Sequence, residues 1–146
     1  MKSLKVGIIG LGFIGVAHMD AIRRIGGVEL TAVSDVNLEQ AKRRAEQFGV
    51  EKCYTDFNDL INDPEIDVIH NCTPNHLHLE VNEKIIKAGK HVFSEKPLGL
   101  DAKESEKMIA TLSEYPDIVA GINFCYRMTP LVQDMKHRIK NGEIGD

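Results

Sequence analysis

No apolar run in the 146-residue sequence approaches the roughly 20 residues needed to span a bilayer. The N-terminal stretch MKSLKVGIIGLGFIG is apolar, but glycines punctuate it and no small-residue cleavage site follows, so it does not read as a signal peptide. Cysteine is scarce. Cys53, Cys72 and Cys125 are widely spaced, form no CxxC pair and are odd in number. That argues against a disulfide framework and fits a reducing compartment, so a cytoplasmic location is expected. A basic excess is also missing, with 18 Lys+Arg against 22 Asp+Glu, a formal net charge of −4 and a pI of about 5.9. General nucleic-acid binding needs such an excess on one face, so neither nucleic acid nor membrane is an expected partner. Internal repeats and low-complexity segments are absent. What remains is 42% hydrophobic and 27% charged, close to an ordinary globular domain, and long enough to bury one core unaided.

Short apolar, β-branched runs alternate with stretches of helical period. Strands are expected at Leu4–Ile9, Leu30–Val33, Val68–Ile69, His91–Phe93 and Ile118–Ile122. These runs lack strict alternation, which suggests strands covered on both faces. Helices are expected over Phe13–Ile25, Leu38–Phe48, Asp56–Ile61, His76–Ala88, Asp101–Leu112 and Leu131–Lys140. Asn37, Asp56 and Asp101 read as N-caps, Glu104 as the capping-box partner of Asp101, and Gly49 and Gly89 as C-terminal stops. The alternation predicts an α/β fold with a doubly wound parallel sheet of Rossmann type, in three layers with helices on both faces.

The strongest local signal is Gly10-Leu11-Gly12-Phe13-Ile14-Gly15, placed between an expected strand and an expected helix. Gly10 allows the tight turn, Gly12 lets the backbone approach a pyrophosphate, and Gly15 lets the helix pack on the strand. The helix N-terminus then offers unpaired N–H groups to phosphate. Gly10, Gly12, Phe13, Ile14 and Gly15 are therefore cofactor-binding candidates. Asp35 follows Gly15 by 20 residues, at the end of the second strand. A carboxylate there accepts hydrogen bonds from the ribose hydroxyls of an adenosine and repels a 2′-phosphate. The next residues, Val36 and Asn37, bring no arginine to neutralise such a phosphate, and Arg43 and Arg44 lie two turns further along a helix. NAD is expected over NADP.

Three further stretches extend this pattern: Cys72-Thr73-Pro74-Asn75-His76-Leu77-His78, Ala88-Gly89-Lys90-His91-Val92 and Glu95-Lys96-Pro97. Together with the glycine loop, they make the chain resemble the Gfo/Idh/MocA oxidoreductases over essentially its whole length. The resemblance implies a Rossmann domain over residues 1–122. Residues 123–146 are then a connecting segment and helix leading to a second, substrate-binding domain absent from this chain. The chain is accordingly expected to be the N-terminal part of a longer enzyme, homo-oligomeric when intact, that moves hydride between NAD and a sugar, cyclitol or related polyol hydroxyl. The fragment is expected to bind cofactor without turnover. The resemblance also implies that Thr73, Pro74, Asn75 and His78 line the cofactor groove. Glu95 then contacts the nicotinamide ribose or carboxamide, Lys96 is the active-site lysine, and the Lys96–Pro97 bond is cis. An ammonium beside the substrate oxygen stabilises developing alkoxide charge and joins a proton relay. A cationic nicotinamide and partial burial would both disfavour the charged lysine. Arg127 resembles an arginine of the stretch after the last strand, orienting the nicotinamide end or the domain interface. Met128 replaces the usual aromatic there and the spacing from Asn123 is longer, so Asn123 receives no role.

Other signals carry less. His76 and His78 diverge by about 200° on a helix, which makes a poor metal pair, and no metal site is expected. His18, His70, His91 and His137 form no usable spacing. The Lys42-Arg43-Arg44 run is flanked by Glu39 and Glu46 and reads as a solvated helix face. Two other readings compete with the enzyme. A non-catalytic dinucleotide sensor or scaffold could dispense with Lys96. An adenosylmethionine-dependent methyltransferase would have no use for Glu95-Lys96-Pro97.

Overall fold

The apolar runs become strands buried from both sides. In the computed structural model, which describes residues 3–145, six parallel strands form one sheet. They are β1 (Leu4–Ile9), β2 (Val28–Ser34), β3 (Lys52–Tyr54), β4 (Val68–Asn71), β5 (His91–Glu95) and β6 (Ala120–Asn123). Their order is β3-β2-β1-β4-β5-β6, so the chain winds outward twice from the β1–β4 pair. Helices α1 (Phe13–Ile22) and α2 (Leu38–Phe48) cover one face, burying Met19, Ile22, Ala41 and Ala45 against Val6, Ile8 and Val33. Helices α3 (Phe57–Asn62), α4 (His78–Lys87) and α5 (Ala102–Ser113) cover the other, where Leu60, Val81, Ile85 and Met108 pack with Ile69 and Val92. This is the three-layer doubly wound fold. Full burial of one such aliphatic side chain contributes about 1.5–3 kcal/mol.

Local chemistry sets the helix ends. The side chains of Asn37, Asp56 and Asp101 accept hydrogen bonds from the N–H groups of Gln40, Asn58 and Glu104, at 3.1, 2.8 and 2.8 Å. Gly49 and Gly89 take left-handed conformations. The elements differ from expectation at several points. Helix α1 stops at Ile22, because the N–H groups of Arg24 and Ile25 turn to carbonyls three residues back, before Gly26-Gly27. The stretch expected as one helix from His76 begins instead as a 3-10 turn (Asn75–Leu77), with α4 starting at His78. Strand β3 was not expected. Its three residues are too few to show a period, and its partner Ala32–Ser34 defines it.

A final helix, α6 (Pro130–Lys140), follows a 3-10 turn at Cys125–Met128. Every residue from Phe124 to Gly145 is exposed. Leu131, Met135 and Ile139 lie at four-residue spacing along α6, so its apolar stripe has no partner among the described residues. None of the described helices is long and apolar enough to cross a membrane.

The edge strand β3 is tied down by polar contacts. Asp63, just after α3, accepts from the Lys52 ammonium at 2.8 Å, the Tyr54 hydroxyl at 3.0 Å and the Glu65 N–H at 2.9 Å. Lys90 donates to the Asp63 and Ile66 carbonyl oxygens at 2.7 and 2.6 Å, fixing the same loop from the other side. Burial alone would raise the Asp63 carboxyl, but these donors and the Lys52 charge hold it below the ordinary carboxylate value. The folded value therefore lies below the unfolded one. The stability Asp63 adds is present above about pH 4 and is lost as pH falls through the lowered folded value. Asp63→Asn should unfold at lower urea than the parent chain at neutral pH, and the difference should shrink at about pH 3.

Candidate functional site

Strands β1 and β4 are neighbours, yet the chain leaves β1 for the α1 face and β4 for the α4 face. Their carboxyl ends therefore part and leave a crevice, the place where doubly wound sheets bind ligands. A groove of about 480 Å³ opens there, lined by Gly10, Gly12, Asp35, Val36, Thr73 and Pro74 among others.

The glycine loop builds one wall. Gly10 has φ +89, and a Cβ on it would stand 2.5 Å from the Cys72 carbonyl oxygen. A Cβ on Gly15 would run into the Gly10 carbonyl oxygen. Both positions are thus dictated by the protein's own packing. Gly12 differs, because a Cβ there meets nothing within 4 Å. Gly12 is the N-cap of α1 and supplies no side-chain cap, and the first turn carries no acidic residue. Its carbonyl accepts the first intrahelical bond, from Val16, so the N–H groups of Phe13, Ile14 and Gly15 lack an intrahelical partner. Open space over Gly12 and unpaired donors beside it suit a phosphate. Of the flanking residues, Phe13 is 92% exposed, while Ile14 packs into the α1-side core.

Asp35 closes the other side. It is half-buried and its carboxylate is already engaged: Oδ2 accepts from the Leu11 N–H at 2.8 Å and the Gln40 amide at 3.0 Å, and Oδ1 from the Asn37 N–H at 2.9 Å. An ionised carboxylate offers about four acceptor positions, so room remains for a hydroxyl donor. Val36 beside it is 88% exposed, and no arginine bonds Asp35 among the described residues.

The second half of the site rests on two buried polar networks, one on each face of the sheet. On the α1 face, Glu95 at the end of β5 is buried. Its Oε1 accepts from His18 Nε2 at 2.9 Å and the Asn123 amide at 2.6 Å, and its Oε2 from the Lys96 N–H at 3.2 Å. His18 Nδ1 lies 2.9 Å from His70 Nδ1. Burial pulls the Glu95 carboxyl up, but the Asn123 and His18 donors hold it below its ordinary value. Burial and the neighbouring His18 push His70 down to about 4, so it is neutral at physiological pH. On the α4 face, Asn71 donates to Asn82 at 2.8 Å, Asn82 to the Ser94 hydroxyl at 2.9 Å, and Asn71 Oδ1 accepts from the Thr73 hydroxyl at 2.7 Å. Cys72, between the two loops, is pushed up to about 12 by burial and by the Glu95 carboxylate, which makes it an inert thiol.

Gly10, Gly12, Asp35, Thr73 and Pro74 are thus brought together around the groove. Asn75 and Lys96 are exposed beside their loops, and the Lys96–Pro97 peptide is cis. Four of the expected site residues are arranged differently from expectation among the described residues. His78 does not line the groove: it is fully buried, with both ring nitrogens bonded to backbone carbonyls. The partial burial expected of Lys96 is not provided by the described residues. Glu95 turns its carboxylate inward, so any contact it makes with a ligand is shared with His18 and Asn123. Arg127 sits exposed on the 3-10 turn after β6, and the structure does not bring it to the groove. His18, His70, Asn71, Asn82 and Ser94 were not singled out from the sequence. Their signal is a polar residue at a core-facing position, as in Ile69-His70-Asn71 and Phe93-Ser94-Glu95.

Residues 4–122 match the Gfo/Idh/MocA oxidoreductases, a family with an NAD-binding Rossmann fold. The chain belongs to that family. It is 35% identical over 142 residues to the myo-inositol 2-dehydrogenase of Thermotoga maritima, a match that spans 97% of this chain and 42% of the relative. Among solved structures, the scyllo-inositol dehydrogenase of Lactobacillus casei with bound NAD(H) and scyllo-inositol superposes with a TM-score of 0.92 at 32% identity, covering 99% of this chain and 43% of that one. A 3-ketoreductase from Actinomadura kijaniata in complex with TDP-benzene and NADP gives 0.90 at 27% identity, covering 99% and 46%. This Gfo/Idh/MocA chain therefore spans about two fifths of the length of the curated relatives it matches.

The glycine geometry separates packing from ligand contact. Gly15→Ala should cost about 3 kcal/mol in urea unfolding, because the obstructing atom is backbone and cannot rotate away. Gly12→Ala should stay within about 1 kcal/mol of the parent chain.

Proposed function

We propose that this chain is the NAD-binding part of a dehydrogenase that moves hydride between NAD and a secondary hydroxyl of a sugar, cyclitol or related polyol. The observation that carries this reading is the open space over Gly12 beside the unpaired N–H groups of α1, facing Asp35 across the crevice. The N–H groups of Phe13, Ile14 and Gly15 hold the pyrophosphate, with Gly12 allowing close approach. Asp35 accepts from the adenosine ribose, and Thr73, Pro74 and Asn75 line the path toward the nicotinamide. NAD supplies the hydride acceptor when bound. The myo- and scyllo-inositol dehydrogenases among the relatives support a polyol substrate, and its remaining contacts are to be sought in the part of those longer proteins that this chain does not span.

An alcohol that gives up hydride also gives up its hydroxyl proton. Lys96 directly follows the carboxyl end of β5 and is exposed, and in this reading its N–H donors stabilise alkoxide charge. Glu95 fixes the Lys96 backbone through the Lys96 N–H. NAD is preferred over NADP because a 2′-phosphate would meet the Asp35 carboxylate with no arginine bonded beside it. The NADP-bound ketoreductase among the neighbours marks this preference as a property of the individual chain.

Titration with NADH and NADPH, followed by nicotinamide fluorescence, tests the reading. NADH should bind saturably and at least tenfold more tightly than NADPH. Asp35→Ala should weaken NADH by about tenfold, as expected for a lost hydrogen bond to a charged group, and should weaken NADPH less. Failure of either nucleotide to bind would sink this reading and favour a sensor or scaffold.

A further inference from the structure

Helix α1 packs over β1 and β2, yet His18 reaches the other way along the sheet, across β4 to β5. The His18 ring is buried and stands edge-on to that of His70 on β4, at 89° with centroids 5.1 Å apart. Its Nε2 lies 2.9 Å from Glu95 Oε1 at the end of β5. Glu95 is buried as well, and an ionised carboxylate offers acceptors only. Three donors from separate parts of the chain meet it: His18 from α1, the Asn123 amide from the end of β6 at 2.6 Å, and the Lys96 N–H at 3.2 Å. His18 and Asn123 share Oε1, which brings their nitrogens within 3.3 Å of each other. A buried carboxylate stripped of such donors would be strongly destabilising. Behind the donors stand His70, pushed down to about 4 by burial and by His18, and Cys72, pushed up to about 12 by burial and by Glu95. The hydrogens of the network balance. The contact with Glu95 needs a hydrogen on His18 Nε2 and nothing more. A neutral His18 then has a bare Nδ1, which accepts from His70 Nδ1–H at 2.9 Å. In a charged His18, Nδ1–H would donate to a His70 whose hydrogen sits on Nε2. Either form pairs one donor with one acceptor at each contact.

From this arrangement we infer that His18 is a positioning residue: through Glu95 it ties α1, the helix whose N-terminus faces the groove, to the turn that presents Lys96. Asn123 completes the tie where the chain leaves β6. Glu95 and α1 belong to distant parts of the sequence, and one charge-assisted hydrogen bond between His18 and Glu95 fixes their spacing. The lysine turn then keeps its place relative to the unpaired N–H groups of α1 when a dinucleotide spans the two. For that consequence, though not for its geometry, the inference rests on the cofactor and Lys96 roles proposed above. A histidine that only filled space would be indifferent to where its replacement carries an N–H, and that difference makes the tie testable.

The side-chain amide nitrogen of glutamine occupies the position of Nε2, and that of asparagine the position of Nδ1. His18→Gln therefore keeps the donor to Glu95, and His18→Asn removes it while leaving a polar group against His70. Amide hydrogen exchange of the unliganded chain reads the tie at the Lys96 N–H, bonded to Glu95, with the Thr73 N–H, bonded to Asn71, as the control on the other face. His18→Asn should speed exchange at Lys96 by about tenfold and spare Thr73, while His18→Gln stays within about twofold of the parent at both. The Glu95 carboxyl, followed by carbon NMR in an acid titration, should titrate at higher pH in His18→Asn than in the parent, and His18→Gln should reverse that rise. Long-range ¹⁵N spectra of the unsubstituted chain should show a hydrogen on His18 Nε2, a readout that does not depend on either variant folding. A bare Nε2, or Lys96 exchange that responds alike to the two variants, would overturn the tie. Nucleotides separate this result from the cofactor reading. His18→Asn should weaken NADH by about fivefold and leave ADP unchanged, because ADP ends before the nicotinamide half. Equal weakening of both nucleotides would overturn the positioning role. A parent chain that binds neither would count against the proposed function, while the unliganded spectra would still decide the tie.

Discussion

The site depends on how closely three pieces of backbone approach one another. The turn after β1 passes so near the end of β4 and the first turn of α1 that no side chain fits at Gly10 or Gly15. That contact sets the direction in which α1 leaves the sheet. It also fixes where its unpaired N–H groups point and how far the Thr73 loop stands from them. Leu11 between the glycines is buried, so the loop is anchored by its own apolar side chain as well as by its backbone. The crevice follows from this packing and from the opposite directions taken by β1 and β4.

The polar residues under the crevice solve a related problem. At the carboxyl ends of β4 and β5 the strands stop while the interior is still dry, and each unmet polar group there costs about 1–3 kcal/mol. Asn71, Asn82, Ser94 and Thr73 answer one another on the α4 face. His18, His70, Glu95 and Asn123 do so on the α1 face. Each set reaches one of the loops that form the site. The second set takes in the Lys96 N–H through Glu95, while the Lys96 side chain itself stays exposed.

Much of this was legible in the sequence because it is local. Glycine spacing, Asn37, Asp56 and Asp101 as caps, and the β-branched runs all act within a few residues of themselves; the caps were found where expected, and the runs became strands with ends moved by a residue or two. What escaped was long-range. Strand β3 exists because Ala32–Ser34 offers it an edge, and three residues cannot announce that. His18 and Glu95 are 77 residues apart, and nothing along the chain joins them. His78 was noticed but turned the wrong way, because its motif suggested a ligand while its partners, the Thr73 and Pro97 carbonyl oxygens, are backbone atoms that no residue type reveals. The domain family was readable because its motifs sit at strand ends, where local sequence and long-range geometry coincide.

The bond from Leu11 N–H to Asp35 carries a further consequence. It joins the glycine loop to the end of β2 with no nucleotide needed to hold them together. Asn37 and Gln40 hold the same carboxylate from the start of α2. A nucleotide arriving at this crevice therefore meets a surface whose ordering entropy was settled when the chain folded, and little of its binding energy goes into arranging the protein. Under the proposed function, recognition of the adenosine end is closer to lock and key than to induced fit.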